Sequence, residues 1–240
     1  MRKTALCLIG SLTVGLVALG SGSASAASGV IYVPESFVSA LSDTRAAGHY
    51  ELAGTGLHIW TTASPEGVSP NQSKVAEYVA ADTPLAAVGE PSLNYTALAG
   101  IAPGYQLVVD FDNDGTPDGI LVGETVYGNN WWLSNGSAQF VKDGAPSHSG
   151  GFGSANNGTL DQWRVNFPAA GVKAFGFSLG SGVIGEGTLN SITFADTTYT
   201  FGMIVRLDGR NACKNGGWRT SNAPVFSNQG DCVSYFASAK

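Results

Sequence analysis

The chain contains the run Tyr105-Gln106-Leu107-Val108-Val109-Asp110-Phe111-Asp112-Asn113-Asp114-Gly115-Thr116-Pro117-Asp118-Gly119-Ile120-Leu121-Val122, in which an acidic turn separates two apolar segments. Strand-forming residues on both sides of such a turn predict a β-hairpin. Within the turn, aspartates occupy loop positions one, three, five and nine, and Gly115 supplies the sharp bend at position six. This spacing predicts a calcium site. The predicted ligands are the side chains of Asp110, Asp112, Asp114 and Asp118 and the carbonyl oxygen of Thr116.

The acidic turn does not predict a helical calcium hand. That motif needs a bidentate Glu at position twelve, where this chain has Leu121 inside an apolar run. A site without this ligand is expected to bind calcium with a Kd on the order of 10⁻⁴ to 10⁻³ M, as extracellular modules do. The alternative is a solvated acidic turn, since Asp, Asn and Gly favour turns in any case. Repulsion between carboxylates this close together favours the calcium interpretation.

The segment 110–123 resembles the calcium loop of integrin-type FG-GAP repeats, in which an Asp-rich loop precedes a hydrophobic strand that ends in Val-Gly. FG-GAP propellers need several copies at a regular period. The sequence contains no second Asp-x-Asp-x-Asp-Gly run. The resemblance therefore implies a calcium loop and does not imply a propeller.

The first 26 residues have the pattern of a secretory signal peptide. Met1-Arg2-Lys3 is followed by an apolar run over residues 5–19 and then by Ala24-Ser25-Ala26, which predicts cleavage after Ala26. The apolar run is too short for a transmembrane helix. We expect an extracellular protein without a membrane anchor.

The composition argues against a nucleic-acid partner. Removal of the leader would take away two of the 12 basic residues and none of the 18 acidic ones, so that the formal charge changes from −6 to −8. Only 12% of residues are charged and 33 are glycine, against a usual charged fraction of about a quarter. Surface contacts are therefore expected to be hydrogen-bonding and aromatic more than ionic.

Short apolar or alternating runs separated by turn residues predict an all-β protein. The predicted strands are Leu57 to Thr61, Gln106 to Val109, Ile120 to Glu124, Ala174 to Leu179, Thr188 to Phe194 and Tyr199 to Val205. Their spacing predicts an antiparallel two-sheet sandwich of jelly-roll type. The predicted core residues are Leu107, Val109, Leu121, Phe175, Phe177, Ile192 and Phe194. Residues 35–47 and 72–81 are weakly helical, and the second stretch is interpreted as one short helix.

Cys213 and Cys232 are the two cysteines that remain after leader removal, and such a pair in an exported protein predicts a disulfide. Zinc is a poor alternative because two thiolates fill only half of a tetrahedral site. The predicted organisation is a signal peptide over 1–26, a β-sandwich domain over 27–205 and a disulfide-closed tail over 206–240.

The runs Cys213-Lys214-Asn215-Gly216-Gly217-Trp218 and Asn228-Gln229-Gly230-Asp231-Cys232-Val233 resemble a C-terminal motif of uncharacterised secreted proteins from high-GC Gram-positive bacteria. Segments of the central region, including 119–124, 127–132 and 176–183, resemble the sandwich domain of the same proteins. The resemblance implies export and a sandwich fold. It carries no established activity to this chain.

Aromatic side chains next to amides are the best ligand-binding candidates, because indole faces stack on sugars while amides bond to hydroxyls. The predicted ligand-binding residues are Tyr127, Asn130, Trp131, Trp132 and, in a second cluster, Trp163. Neighbouring strand residues point to opposite faces, so at most one of Trp131 and Trp132 is expected to be exposed. The alternative is that these rings only fill the core.

The sequence predicts no catalytic residue. Gly176-Phe177-Ser178-Leu179-Gly180 matches the nucleophile elbow in spacing, but Ser178 lies inside a strand-like run that no amphipathic helix follows. His49, His58 and His148 have no spacing typical of a catalytic or zinc site. A carboxylate pair for glycoside hydrolysis would have to come from Glu124, Asp161 and Glu186.

Three functional hypotheses follow. The first is a secreted, non-catalytic, calcium-stabilised β-sandwich that binds extracellular or cell-wall polysaccharide. The second is a secreted glycoside hydrolase that uses a carboxylate pair. The third is a structural or surface-assembly protein without a small ligand, which predicts an exposed apolar patch or oligomers.

Overall fold

A computed structural model describes residues 27–238, so the predicted leader lies outside the described residues. Twelve strands form two six-stranded sheets, and three short helices connect or follow them. In chain order the strands are β1 (Ala27–Tyr32), β2 (Gly48–Ala53), β3 (Gly56–Thr61), β4 (Lys74–Pro84), β5 (Ser92–Gly100), β6 (Gly104–Asp110), β7 (Gly119–Gly123), β8 (Asn130–Leu133), β9 (Asn157–Thr159), β10 (Gly171–Gly180), β11 (Gly185–Phe194) and β12 (Thr197–Gly202). The helices are α1 (Gln139–Asp143), α2 (Leu160–Asn166) and α3 (Gln229–Ser238).

The first sheet has the order β4-β10-β6-β7-β8-β9 and is antiparallel throughout. The predicted hairpin forms its centre, because β6 pairs with β7 from Tyr105 opposite Gly123 to Val109 opposite Gly119. The acidic turn therefore lies at the tip of this hairpin.

The second sheet is organised around β11. Strand β5 pairs along the length of one edge of β11, while β3 and β12 pair with successive parts of the other edge. Strand β2 extends the sheet from β3, and β1 extends it from β12. The β1–β12 pair is parallel, which is the one departure from antiparallel pairing among the described strands.

The core lies between the two sheets. All seven predicted core residues are at most 3% exposed and belong to the main cluster of buried side chains. Phe175 of the first sheet stacks on Phe194 of the second, with ring centroids 4.3 Å apart. The predicted antiparallel sandwich fold is confirmed.

Residues 72–81 do not form the predicted helix. Most of this stretch belongs to β4, in which Val75 and Val79 contact the main core while Ala76 and Tyr78 pack on the opposite face of the sheet. Because β4 is buried on both faces near its start, its apolar residues do not alternate with polar ones. The resulting pattern matches helical spacing equally well.

Residues 35–47 are not helical either, and they run along the outer edge of β4. The backbone N–H groups of Val38, Asp43 and Arg45 donate hydrogen bonds to the carbonyl oxygens of Tyr78, Ala76 and Lys74, over 2.8–3.0 Å. The side chains of Ser42 and Thr44 donate hydrogen bonds to the buried carboxylate of Glu77. The chain itself thereby covers the first half of this sheet edge, from Lys74 to Tyr78.

The tail contains the predicted disulfide. Cys213 and Cys232 are bonded, with Cα atoms 5.8 Å apart, and both are fully buried. Together with Phe226 they form a separate apolar cluster, against which Trp218 and Phe236 pack. Helix α3, which was not predicted from the sequence, carries Cys232.

Candidate functional site

The acidic turn between β6 and β7 has a defined shape. Asn113 and Gly115 have φ angles of 62° and 98°. The left-handed region is favourable for Gly and tolerated by Asn, so the Asn-Asp-Gly sequence allows the chain to coil tightly here. The coil turns the side chains of Asp110, Asp112 and Asp118 towards one another.

These three aspartates form one oxygen cluster. One carboxylate oxygen from each lies within 4.8 Å of the others. Asp110 is fully buried, Asp118 is half-buried and Asp112 is exposed. Asp114 is not part of this cluster, and its Oδ1 accepts a hydrogen bond of 2.7 Å from the backbone N–H of Thr116. The structure thus brings together three of the four predicted aspartate ligands.

Backbone N–H groups orient the clustered carboxylates. The two oxygens of Asp110 accept hydrogen bonds from the N–H of Asp114 at 3.1 Å and of Gly115 at 2.9 Å. Asp118 Oδ2 accepts one from the N–H of Phe111 at 2.7 Å. The loop is therefore organised by its own main chain, and its acidic side chains are held rather than free to splay apart.

The pKa values of Asp110 and Asp112 are shifted in opposite directions. Burial alone would raise the pKa of Asp110, but backbone hydrogen bonds from Gly115, Asp114 and Asn113, together with Lys173, lower it below its ordinary value. Partial desolvation and the neighbouring carboxylates raise the pKa of Asp112, despite a hydrogen bond from the Asp114 N–H. Lys173 Nζ lies 3.6 Å from Asp110 Oδ2 and 3.1 Å from Asp82 Oδ1. One ammonium group thus offsets part of the negative charge.

This donor set fits a hard divalent cation. Calcium takes six to eight oxygen ligands from carboxylates, carbonyls and water. Three convergent carboxylates supply the charged part of such a shell, and a bound cation would offset the repulsion among them. The Thr116 carbonyl, in the exposed part of the same turn, remains the predicted additional ligand.

The two tryptophans of β8, Trp131 and Trp132, lie on opposite faces of the sheet, as the alternation of strand side chains predicts. Trp131 faces the core and is 8% exposed, with its ring 5.8 Å from that of Tyr105 in an edge arrangement. Trp132 is half-buried on the opposite face, where its Nε1 donates a hydrogen bond of 3.0 Å to Glu124. Gly153 lies so close to the Trp132 ring that any side chain there would collide with it.

Trp163 cannot present its ring to a ligand, so its prediction as a ligand-binding residue is wrong. It lies in α2 and is fully buried against Phe111 and Phe167. Its Nε1 donates a hydrogen bond of 3.0 Å to the backbone oxygen of Trp131. Trp163 therefore supports the strand on which Trp131 lies.

The other two predicted ligand-binding residues lie close to β8. Tyr127 is half-buried in the turn before β8, with its ring edge against Phe152 at 5.7 Å. Asn130 starts β8 and donates a hydrogen bond of 3.2 Å from Nδ2 to Asn157. The Oδ1 atom of Asn130 is buried without a hydrogen-bond partner.

A cleft of about 310 Å³ opens where the ends of the two sheets meet. Five separate segments of the chain line it: the start of β5 and the residues before it, the start of β6, the turn after β7, β8, and the start of α2. The lining residues are Glu90, Pro91, Ser92, Leu93, Pro103, Tyr105, Gly123, Glu124, Thr125, Gly128, Asn129, Trp131, Thr159, Leu160 and Asp161. Of the five predicted ligand-binding residues, only Trp131 contributes to this cleft.

Arg164 holds one side of the cleft together. Its Nη1 lies 2.6 Å from Asp161 and 3.4 Å from Glu90, and its Nε donates to the backbone oxygen of Leu85 at 3.2 Å. A further hydrogen bond runs to the backbone oxygen of Gly89. One half-buried guanidinium thus joins the segment before β5 to α2, which places Glu90 and Asp161 on the same rim.

Most of this cleft was not predicted from the sequence, although one signal was available. Thr159 caps α2 by accepting a hydrogen bond from the Gln162 N–H, and the Gln162 side chain accepts one from Thr159 N–H. The spacing Thr-x-x-Gln is a capping box and marks a helix start in the sequence. No local pattern indicates that Glu90 or Pro103 would lie beside it.

The three carboxylates considered for glycoside hydrolysis are not all together. Glu124 and Asp161 line the same cleft. Glu186 lies on β11, with its carboxylate 3.1 Å from His58 Nε2. His58 Nδ1 is 3.2 Å from Glu51, and the His58 ring stacks on Trp60. Ser178, in the Gly-x-Ser-x-Gly run, lies within β10 and is 5% exposed.

Within residues 27–238 no helix combines the length and apolar character needed to cross a membrane. A comparison of the chain with protein-family models, with curated proteins and with solved structures found no match in any of the three.

Proposed function

We propose that this protein is a secreted, non-catalytic β-sandwich that is stabilised by calcium at the β6–β7 turn and binds an extracellular or cell-wall polysaccharide in the cleft. The observation that carries the binding proposal is the cleft itself, with a volume of about 310 Å³. Ligand pockets of small molecules begin at about 300 Å³. A cleft of this size suits one or two sugar units of a longer chain.

The lining of the cleft supports a sugar ligand. Tyr105 and Trp131, which are 3% and 8% exposed, contribute small patches of apolar surface, while Asn129, Thr125 and Ser92 add hydrogen-bonding groups. Sugars have apolar faces and a rim of hydroxyls, so they match a site with a few polar groups around aromatic surface. The extracellular part of the proposal is supported by the signal-peptide pattern and by the disulfide.

The binding proposal is tested by calorimetry with soluble oligosaccharides chosen from a glycan array. Asn129→Ala removes an exposed amide from the rim of the cleft, and we expect its affinity to fall about two- to tenfold, as for one hydrogen bond. The matched control is Asn135→Ala, which removes an exposed amide that does not line the cleft. An array without binding, or equal losses in both variants, would contradict the proposal.

The calcium proposal rests on the three convergent carboxylates and has a separate test. Isothermal titration with calcium chloride should show uptake at the millimolar level or below. Asp112→Asn should abolish this uptake, whereas Asp143→Asn, which changes an exposed aspartate in α1, should leave it intact. Absence of heat for the unchanged protein would mean that the acidic turn is only a solvated turn.

One observation favours the hydrolase as a second candidate function. Glu124 and Asp161 line one cleft from different segments of the chain, and glycoside hydrolysis uses two carboxyl groups that flank the scissile bond. Release of reducing sugar from polysaccharides, abolished in Glu124→Gln, would support this candidate. The glutamine can still accept the hydrogen bond from Trp132 Nε1, so the variant removes the acid and keeps the contact.

A further inference from the structure

We propose that the outer edge of β5 is a dimerisation edge, at which a second copy of this chain pairs its own β5 antiparallel across a two-fold axis. Three features of β5 carry this inference: the backbone groups on one of its sides have no partner, its side chains are exposed, and it has no charge along its length.

One side of β5 is not paired. On its inner side the strand pairs with β11, from Ser92 opposite Thr193 to Gly100 opposite Gly185. Among residues 27–238 no other strand pairs with β5, and no backbone hydrogen bond from a loop reaches it. The backbone N–H and C=O groups that point away from β11 are therefore free to pair with another strand.

The second half of β5 is also uncovered by side chains from elsewhere. The residues from Thr96 to Gly100 are all exposed, although neighbours along a strand point to opposite faces. Leu98 is 65% exposed, Ile101 after the strand is 47% exposed, and Ile184 just before β11 is 53% exposed. Because the end of β5 pairs with the start of β11, these three apolar side chains lie at one corner of the sheet.

The edge of β5 lacks the protection that the edge of β4 has. Residues 38–47 cover the first half of β4, and β4 itself carries Lys74, Glu77 and Asp82. The run from Ser92 to Ala102 contains neither a charged residue nor a proline, which are the usual means of blocking an edge.

The strand is also regular over most of its length. A bulge is a further means of protecting an edge, and the one in β5 falls at Leu98, between Ala97 and Ala99. The residues from Ser92 to Ala97 follow one another without interruption in the pairing with β11. This stretch can therefore accept a strand on its other side.

A second copy suits this edge better than a charged or irregular partner does. Unpaired strand groups require an extended strand as partner, and pairing across a two-fold axis uses the same edge on both copies, so that the assembly closes at a dimer. Such pairing places like side chains near one another, and like charges directly opposite would be destabilising. The uncharged run of β5 avoids this repulsion, and the exposed apolar corner lies beside the joined edge.

The first experiment is sedimentation equilibrium of the chain without its predicted leader. We expect a monomer–dimer equilibrium in which the dimer fraction rises as the protein concentration approaches about 0.1 mM. Leu98→Lys and Thr96→Lys, both at exposed positions, should each weaken the dimer about tenfold, because two lysines would then meet across the joined edge.

The matched control is Val165→Lys, at a 77% exposed position in α2, which makes the same change in charge away from β5. Each lysine lowers the net negative charge of the protein. An association governed only by net charge would therefore be strengthened in all three variants, whereas pairing through β5 is weakened in two of them and kept in the control.

The second experiment locates the axis with single cysteines at positions 94, 96 and 98. Cys213 and Cys232 are already bonded to each other, so each new thiol has no partner within its own copy. A disulfide forms only where two Cβ atoms come within about 4.5 Å. We expect one of the three positions to cross-link much faster than the others, and Val165→Cys not to cross-link.

Several outcomes would overturn the inference. They are a monomer at every concentration, a dimer that both lysine variants retain, and a loss of the dimer in Val165→Lys that equals theirs. Species larger than a dimer would mean that the edge pairs without closing, and equal cross-linking at all three positions would mean a loose association; either result would also contradict pairing across a two-fold axis.

Discussion

The acidic turn and the cleft are built in opposite ways. The turn takes all its carboxylates from nine consecutive residues, 110–118, and its main chain orients them. The cleft takes its lining from five segments that are up to 71 positions apart, from Glu90 to Asp161. A site of the first kind can be read from spacing alone, whereas a site of the second kind exists only after the sheets have packed.

The two regions are nevertheless joined by one side chain. Trp163 packs against Phe111, which lies inside the acidic turn, with ring centroids 5.8 Å apart. The same indole donates its hydrogen bond to the backbone of Trp131 at the floor of the cleft. Variants at this position test whether the contrast between local and assembled sites holds.

The largest effect is expected from Trp163→Ala. Truncating a fully buried Trp leaves a cavity and should lower the free energy of unfolding by about 3–5 kcal/mol, measured by urea denaturation. Trp163→Phe keeps much of the volume but leaves the Trp131 oxygen without this donor, and we expect a loss of about 1–3 kcal/mol. Val165→Ala, at a 77% exposed position of the same helix, is the control and should change stability by less than about 0.5 kcal/mol.

The Trp163→Phe variant also compares how strongly the acidic turn and the cleft depend on long-range packing. If the turn is organised by its own main chain, calcium affinity should change less than affinity for the oligosaccharide, whose site depends on the position of Trp131. Equal losses in both titrations would show that the acidic turn depends on long-range packing as much as the cleft does.

The second prediction concerns calcium and thermal stability. With a Kd of 10⁻⁴ to 10⁻³ M, roughly 10 mM calcium should stabilise the folded state by about 1.4–2.7 kcal/mol. For a domain of this size that corresponds to a rise in Tm of about 3–10 °C. Asp112→Asn should remove the rise, while Asp161→Asn, which alters the cleft, should retain it. A rise that survives in Asp112→Asn would assign the calcium effect to another part of the molecule.

The third prediction is the pH dependence of that stabilisation. Because the pKa of Asp112 is raised in the folded protein, its ionised form is disfavoured there, and without calcium the fold gains slightly as pH falls through this pKa. The pKa of Asp110 is lowered, so its contribution is present above its ordinary value and is lost as pH falls through the folded one.

Calcium favours the ionised forms of both aspartates. The rise in Tm should therefore be full at neutral pH, decrease first as Asp112 takes up a proton, and vanish as the pH falls through the lowered pKa of Asp110. Thermal scans with calcium and with chelator across this range provide the measurement. A calcium effect that is unchanged at the acidic end would contradict carboxylate ligation.

The smallest effect is expected from Lys173→Met. The ammonium group beside Asp110 competes with a cation for the same carboxylates, so its removal should raise calcium affinity about two- to fivefold. Lys142→Met, in helix α1, removes a lysine that makes no ion pair with the aspartate cluster and should have no effect. A fall in calcium affinity for Lys173→Met would show that the lysine is needed to shape the turn.

Elements with strict alternation were predictable from the sequence, and so was the hairpin. In β10, for example, Phe175 and Phe177 face the core while Ser178 faces the other way, as period two requires. Strand β4 was mistaken for a helix because packing on both faces removes the alternation. Strand β5 was missed as well, although it pairs with β11 along its length.

The candidate site was predictable only where it is local. The disulfide and the acidic turn follow from residue type and spacing. The cleft depends on Arg164, whose contacts with Leu85 and Glu90 span more than 70 positions of the chain. Nothing near Arg164 in the sequence specifies those partners, so only the packed structure shows which segments form the rim.

The cover of β4 by residues 38–47 has a consequence for how the protein behaves when it is crowded. Strand β4 has 11 residues, and its outer edge would be a template for a strand of another molecule if its carbonyl oxygens were free. In the first half of the strand, the backbone N–H groups of Val38, Asp43 and Arg45 occupy three of those oxygens. Displacing this segment would leave these strand oxygens free to accept hydrogen bonds from another molecule, so we expect the cover by residues 38–47 to oppose edge-to-edge assembly in concentrated solution.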